Sequence, residues 1–337
     1  MSDLRQHAEE RDRGERLAGT RFVKKIRVAF VDWWFGNEDE HLTRVSGPSV
    51  APFRKLVEML AQRGVGVEIA FPPGPESRPD LAIFGPFGTL ATADSYDGAL
   101  KLFWCNENLA LTPFAAYRDY QPHFDYYFTH GPTTDRNFCI TSSIFHYHLP
   151  RLAAPRPPAD TERLLAAKTN FACFLYSNDS VEAEFDGVHL RNDFFRRLSR
   201  VRPVTSGGEV MNNIGGPVPR SETGAFLAKH KFTIGFENSR TEGYITEKLV
   251  QAFLHGAVPI YCGPPDVGRY FNEQAFVLYT GKNFDEVLER LHGLDRNVDE
   301  YAQMLAAPKL TTPLHPDYRP ESLDERMTEI IQRLRPA

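Results

Sequence analysis

Short β-rich apolar runs followed by segments with apolar residues at helical spacing occur in both halves of this chain, and that alternation restricts the fold to parallel α/β sheet. Ile26, Val28, Phe30 and Val31 form the first strand run. Phe53, Leu56, Val57 and Leu60 recur at helical spacing and stop at Gly64, a helix C-terminus. Val65, Val67, Ile69 and Phe71 alternate as a strand up to Pro72-Pro73, and Leu81–Phe84 and 99–104 read as further strands. Pro150, Pro155, Pro157 and Pro158 then interrupt the pattern, so a linker and a domain boundary are expected there. Beyond it the alternation restarts. Strands are expected at 171–176, 232–236 and 258–261, with helices at 192–200 and 245–254. Near the end, Leu323, Met327, Ile330 and Leu334 form an apolar helical stripe, with Ser322 and Glu325 placed as a capping box. The expected organisation is a charged extension over 1–24, a Rossmann-like domain over 25–155, and a second one over 156–337 that includes the terminal helix.

With 337 residues the chain is long enough for two domains of ordinary size, and a formal charge of -5 supplies no general attraction for nucleic acid or an anionic membrane. Cys105, Cys139, Cys173 and Cys262 are scattered without a C-x-x-C pair, which reads as packed, reduced thiols. The first 19 residues are charged and lack the apolar core of a signal peptide, and no run approaches the ~20 apolar residues a membrane span needs. A cytoplasmic protein with no integral membrane segment is expected. No G-x-G-x-x-G follows a strand, no P-loop occurs, and neither Asp-x-Asp nor H-E-x-x-H is present. His146 and His148 alternate, as they would on a strand face or in a loop, and do not have ligand spacing.

The most informative stretch is 231–248, which reads as strand, polar loop with Gly243, then helix. Glu247 and Lys248 open that helix. A glutamate there suits the helix dipole, whereas a lysine opposes it unless an anion such as phosphate lies between the ammonium and the exposed N–H groups. A lysine that points to solvent or pairs with a carboxylate accounts for the same pattern equally well. Arg191, after the loop Asp186-Gly187, could grip a diphosphate or simply be a surface arginine among Arg196, Arg197 and Arg200. The loop Ser206-Gly207-Gly208 with Asn212 to Gly216 permits close backbone approach but also suits a plain turn.

Phe236-Glu237-Asn238-Ser239, Tyr244-Ile245-Thr246-Glu247-Lys248, Gly256-Ala257-Val258-Pro259-Ile260-Tyr261 and Gly263-Pro264 together closely resemble the hallmark region of the bacterial α-1,3/4-fucosyltransferases, glycosyltransferase family 10. Val28 to Trp34 resembles the first strand of bacterial members. Asn106-Glu107-Asn108 resembles the Gly-Glu-Asn motif, with Asn106 where glycine is usual, and Arg191-Asn192 with Phe194-Phe195 also fits. The likeness runs from about Lys25 to Pro313 and is strongest over 171–276.

The resemblance implies a GT-B fold, with two Rossmann-like domains facing each other across a cleft, an acceptor domain first and a donor domain second. It implies inverting transfer of L-fucose from GDP-β-L-fucose to a hydroxyl of a glycan, α-1,3 or α-1,4 to N-acetylglucosamine or glucose. By position Glu107 matches the general base, while Arg191 and Lys248 match the pair that neutralises the diphosphate. Tyr244 and Glu247 match donor contacts, with Glu247 supporting positive charge on the sugar, and Asn238 is placed near the nucleotide. GDP-fucose is then a co-substrate, no metal cofactor is required, and stimulation by a divalent ion is left open. The alternatives are a transferase of the same fold for another GDP-sugar, a silent nucleotide-sugar or glycan-binding protein, and a two-domain dehydrogenase. Residues 37–131, where acceptor choice is written, match weakly. The heptad repeats and basic tail of many bacterial relatives are not found, so attachment to membranes by such a tail is not expected.

Overall fold

Strand β1 (Lys24–Val31) begins with exposed lysines and ends wholly buried, because a central parallel strand is covered on both faces. In the computed structural model, which describes residues 24–33, 51–88, 92–110, 117, 122–179 and 187–334, β1 lies inside a six-stranded sheet. Helix α1 (Ala51–Ala61) follows, then β2 (Val65–Ile69), β3 (Leu81–Phe84), β4 (Leu100–Trp104), β5 (Tyr126–Thr129) and β6 (Asn137–Cys139). The order is β2-β1-β3-β4-β5-β6 and every pairing is parallel. Gly64, which ends the turn after α1, has φ 72°, a conformation that costs glycine little.

The second sheet has five parallel strands in the order β11-β10-β9-β7-β8. These are β7 (Asn170–Phe174), β8 (Val204–Ser206), β9 (His230–Phe236), β10 (Val258–Cys262) and β11 (Val277–Leu278). Helix α2 (Gly187–Ser199) lies between β7 and β8, and α3 (Glu247–His255) lies between β9 and β10. Helices α4 (Phe284–Arg296) and α5 (Val298–Ala306) follow β11. The chain passes from β7 to β8 on one side of β7 and then to β9 on the other. The carboxyl ends of β7 and β9 therefore flank the point where the winding reverses, the place where open α/β sheets bind ligands.

Two compact units contain these sheets. The first holds the described residues up to Leu109, Tyr117, 122–146 and 319–334, and the second holds Ala110, 147–179 and 187–318. Three sequence expectations are corrected here. The proline-rich stretch is not a free linker, since Leu149–Ala153 and Pro158–Ala166 are short helices with proline in their first turn, where a missing N–H costs nothing. The terminal helix α6 (Ser322–Arg333) belongs to the first unit. Its Leu323, Met327 and Ile330 pack in one cluster with Phe53, Leu56 and Leu60 of α1. The expected capping box is also absent: the Ser322 hydroxyl donates to the Arg319 carbonyl at 2.7 Å, and Glu325 pairs with Arg319 at 2.9 Å. The 1–23 segment, Trp34 and Asp186 lie outside the described residues. All four cysteines are buried, and none forms a disulfide. No helix among the described residues is long and apolar enough to cross a membrane.

Lys309 is 5% exposed and donates to the carbonyls of Met304 and Leu305 at 3.0 and 2.9 Å, closing the C-terminus of α5. Burial, with Arg156 adding to it, pushes its amine down to about 7. Between that value and the ordinary lysine value of about 10.4, the unfolded chain binds more protons at this site than the folded one. Stability from this group therefore rises with pH across that window, by up to about 1.4 kcal/mol per pH unit. Urea titrations from pH 7 to 10 should show wild type gaining stability relative to Lys309→Met. A difference that stays flat with pH would remove the assignment.

Candidate functional site

Two residues past β7, the Tyr176 phenol turns in under β9 and takes the place of a further strand residue. Its hydroxyl receives the Phe236 N–H at 2.6 Å and lies 3.1 and 3.0 Å from the carbonyls of Ile234 and Phe236. The ring face carries the Arg191 guanidinium, whose central carbon is 4.1 Å from the ring centroid. This cation–π contact is made out of water, where it is strongest.

Arg191 is in the second turn of α2, and the helix begins at Gly187, earlier than its apolar spacing predicts. The stripe Val188, Arg191, Asn192, Phe195 and Leu198 is the buried face, and Arg191 is 1% exposed. A surface arginine is thereby ruled out. Its Nη1 donates to Asn238 Oδ1 at 2.7 Å and its Nη2 to the Asn178 carbonyl, while Nε is buried without a hydrogen-bond partner among the described residues. Burial lowers its pKa, with Tyr176 and Asp179 opposing.

Glu237 directly follows β9 and is 0% exposed. Oε1 accepts the Thr246 N–H at 2.8 Å and the Tyr261 hydroxyl at 3.2 Å, and Oε2 accepts the Thr246 hydroxyl at 2.6 Å. Thr246 is the N-cap of α3, with extended backbone. Lys248 reaches back to this cap: its Nζ is 2.9 Å from Thr246 Oγ1, 3.2 Å from Glu247 Oε1 and 3.5 Å from Glu237 Oε2. Burial acts to deprotonate Lys248, but the two glutamates outweigh it and hold its pKa well above the usual lysine value. Desolvation raises Glu237. At Glu247, whose side chain is half exposed, desolvation is outweighed by Lys248 and the carboxyl is held low.

The second sheet thus brings Arg191, Asn238, Glu247 and Lys248 to its carboxyl edge, where the charges of both Arg191 and Lys248 act on the Tyr176 phenol. Tyr244, 3% exposed, belongs to the same β9–α3 connection, whose Gly243 N–H is held by Asp266 at 3.1 Å. Glu107 belongs to the first unit and lies just past β4. The backbone around it is pinned: the Trp104 indole donates to Asn106 Oδ1 at 3.2 Å, the Cys105 thiol to the Glu107 carbonyl at 3.3 Å, and His130 Nε2 bonds the Asn106 carbonyl at 2.9 Å. Asn106 therefore has a task that glycine could not perform. Tyr176 and Glu237 were missed as site residues from sequence. Each sits one or two positions beyond an apolar strand, where a buried polar residue already signals a sheet edge with work to do.

Gly187 shows how tightly α2 approaches this edge: a Cβ there would fall 2.3 Å from the Glu237 carbonyl oxygen and 2.6 Å from that of Asn238. Both obstacles are backbone and cannot swing away. Gly187→Ala is expected to destabilise the protein by about 3 kcal/mol, the upper range for overpacking. Gly293→Ala, in α4 with nothing within 4 Å, should instead stabilise by about 0.5–1 kcal/mol through helix propensity. Urea unfolding of the pair checks both signs.

Residues 165–316 match the family model described as glycosyltransferase family 10 (fucosyltransferase), C-terminal part. Over those residues the chain is similar to a family 10 glycosyltransferase domain. The chain is 29% identical over 313 residues to the Alpha-(1,3)-fucosyltransferase FucT of Helicobacter pylori, covering 85% of this chain and 61% of that protein. It is 28% identical over 212 residues to the GDP-fucose protein O-fucosyltransferase 3 of Danio rerio, covering 57% of this chain and 45% of that one. It thus spans less than two thirds of the length of these relatives. Among solved structures, an α1,3-fucosyltransferase matches with a TM-score of 0.65 and 24% identity over 92% of this chain and 90% of the other. An α-glucosyltransferase in complex with UDP matches with a TM-score of 0.53 and 10% identity over 92% and 100%. These likenesses show the fold, which is of GT-B type, two Rossmann-like α/β units of glycosyltransferases. The matched stretch 165–316 contains all the cationic and donor-side residues singled out above, whereas Glu107 lies outside it.

Proposed function

We propose that this chain moves L-fucose from GDP-β-L-fucose to a hydroxyl of a glycan acceptor, α-1,3 or α-1,4 to N-acetylglucosamine or glucose, with inversion at the anomeric carbon. The observation that carries the reading is the pair of cations at the winding reversal of a domain similar to family 10, Arg191 on the Tyr176 ring and Lys248 at the start of α3. Departure of GDP leaves negative charge on the diphosphate, and two fixed cations in a partly dry site stabilise it. In this reading Arg191 and Lys248 hold the diphosphate, Asn238 and Tyr244 contact the donor, and the Glu247 carboxylate faces the positive charge that develops on the sugar. Glu107 accepts the proton of the attacking hydroxyl. No metal ion is required, since the two side chains supply the charge.

A GDP-release assay with GDP-fucose tests this. N-acetyllactosamine-type acceptors, and a protein acceptor in view of the O-fucosyltransferase relatives, are each supplied with and without EDTA. Turnover of GDP-fucose in preference to GDP-mannose, yielding a fucosylated glycan in the presence of EDTA, is the expected result. Preference for GDP-mannose would move the reading to another GDP-sugar, and tight GDP-fucose binding with every acceptor left unmodified would favour a binding protein.

A further inference from the structure

Glu237 is the one carboxylate of the site with 0% exposure, yet the reaction as proposed gives it no contact with either substrate. Removing a carboxylate from water costs several kcal/mol in effect, and a well-packed apolar residue is often no less stabilising than a buried ion pair. Its hydrogen bonds run to the Thr246 N–H, the Thr246 hydroxyl and the Tyr261 hydroxyl, and its remaining neighbour is the Lys248 ammonium at 3.5 Å. Thr246 in turn accepts from Lys248 at 2.9 Å. Glu237 and its partners therefore fix the cap of α3 and, through it, the start of the Lys248 side chain's return path.

A lysine at the second position of a helix faces the positive end of the helix dipole. The other charge beside it is Glu247, whose side chain is 52% exposed, so water weakens its pull. Resting on the donor reading above, we propose that Glu237 is a positioning residue that keeps Lys248 in place and positively charged so that it can receive the donor's diphosphate. Fully enclosed by Tyr261, Thr246 and Lys248, Glu237 stays behind the ammonium as its counter-charge when an anion arrives in front. The titratable groups facing Lys248 are Glu247 on its own helix, Glu237 at the end of β9, Tyr244 in the connection between them and Tyr176 beyond β7. The Tyr176 phenol stays neutral over the working range, because burial pushes its pKa up. Desolvation works against the charge of Glu237, and the Lys248 ammonium and the two Thr246 hydrogen bonds oppose that, which makes Glu237 the enclosed counter-charge among them.

The test is the affinity for GDP, measured by titration calorimetry from pH 7 to 10 on wild type and Glu237→Gln. Glutamine keeps the shape and one carbonyl acceptor but removes the charge. Loss of an opposite charge at this distance should bring the lysine's deprotonation down by about 1–3 pH units, towards the alkaline end of the range covered. The ratio of the variant's Kd to that of wild type should therefore rise towards pH 10. Taking the ratio cancels the titration of GDP itself. A ratio that is constant with pH, whatever its size, would mean a merely structural role and overturn the proposal. Thr246→Val, which removes the hydroxyl shared by Glu237 and Lys248, serves if Glu237→Gln does not fold and should give a smaller shift in the same direction. Absence of GDP binding by wild type would instead overturn the donor reading, and with it the ligand assigned to Lys248.

Discussion

Lys248→Ala is expected to abolish measurable GDP binding and to lower kcat/KM by about 10³-fold, the loss typical of removing one preorganised group that stabilises transition-state charge. The same substitution should also destabilise the fold. Glu237 would remain enclosed with no cation beside it, and breaking a buried pair from one side costs about 3–5 kcal/mol. The donors from Thr246 and Tyr261 remain, and its already raised pKa lets it take up a proton, so the lower end is expected. The two effects separate in a double variant. Lys248→Met with Glu237→Gln removes both charges, so stability should return towards wild type while turnover stays lost. Steady-state kinetics and urea unfolding on the three proteins decide it. A single variant with wild-type kcat/KM would take the diphosphate role away from Lys248.

Glu107→Gln should reduce kcat by about 10²–10⁴-fold and leave the Kd for GDP unchanged. Glutamine is close in shape but cannot take up the proton of an attacking hydroxyl. The donor groups all belong to the other unit, so nucleotide affinity has no reason to follow. Trp104, Cys105 and His130 anchor 105–107 independently of the Glu107 carboxylate, and circular dichroism of the variant would expose a local collapse. Retained turnover in Glu107→Gln would assign the base elsewhere.

The β runs and the helices between them were legible because each strand is covered on both faces and each helix on one, so apolar period and element coincide. Leu81–Phe84 was read with its observed bounds. The proline-rich stretch misled because proline stops a helix only from its interior, and Pro150 and Pro158 sit in first turns. Helix α6 misled for a different reason: its stripe says that it packs, and nothing in Leu323, Met327 or Ile330 says against which sheet. In the candidate site, Arg191 and Lys248 stood out by their position at helix starts and by family resemblance. The carboxylate behind Lys248 was not, since Glu237 looks like one acidic residue in a polar loop until burial is known. Likewise no spacing rule separates Arg191 from Arg196 and Arg197, although Arg191 alone of the three is fully enclosed.

The return of α6 to the first unit also sets an order of events during synthesis. The segment forming the second sheet and its helices is complete once Tyr318 has left the ribosome. The first unit has by then offered α1 to its neighbours without the residues that cover it, and it closes only when 322–334 emerge. The later half of the chain can therefore finish folding before the earlier half, with Phe53, Leu56 and Leu60 exposed to chaperones or to other nascent chains in the interval.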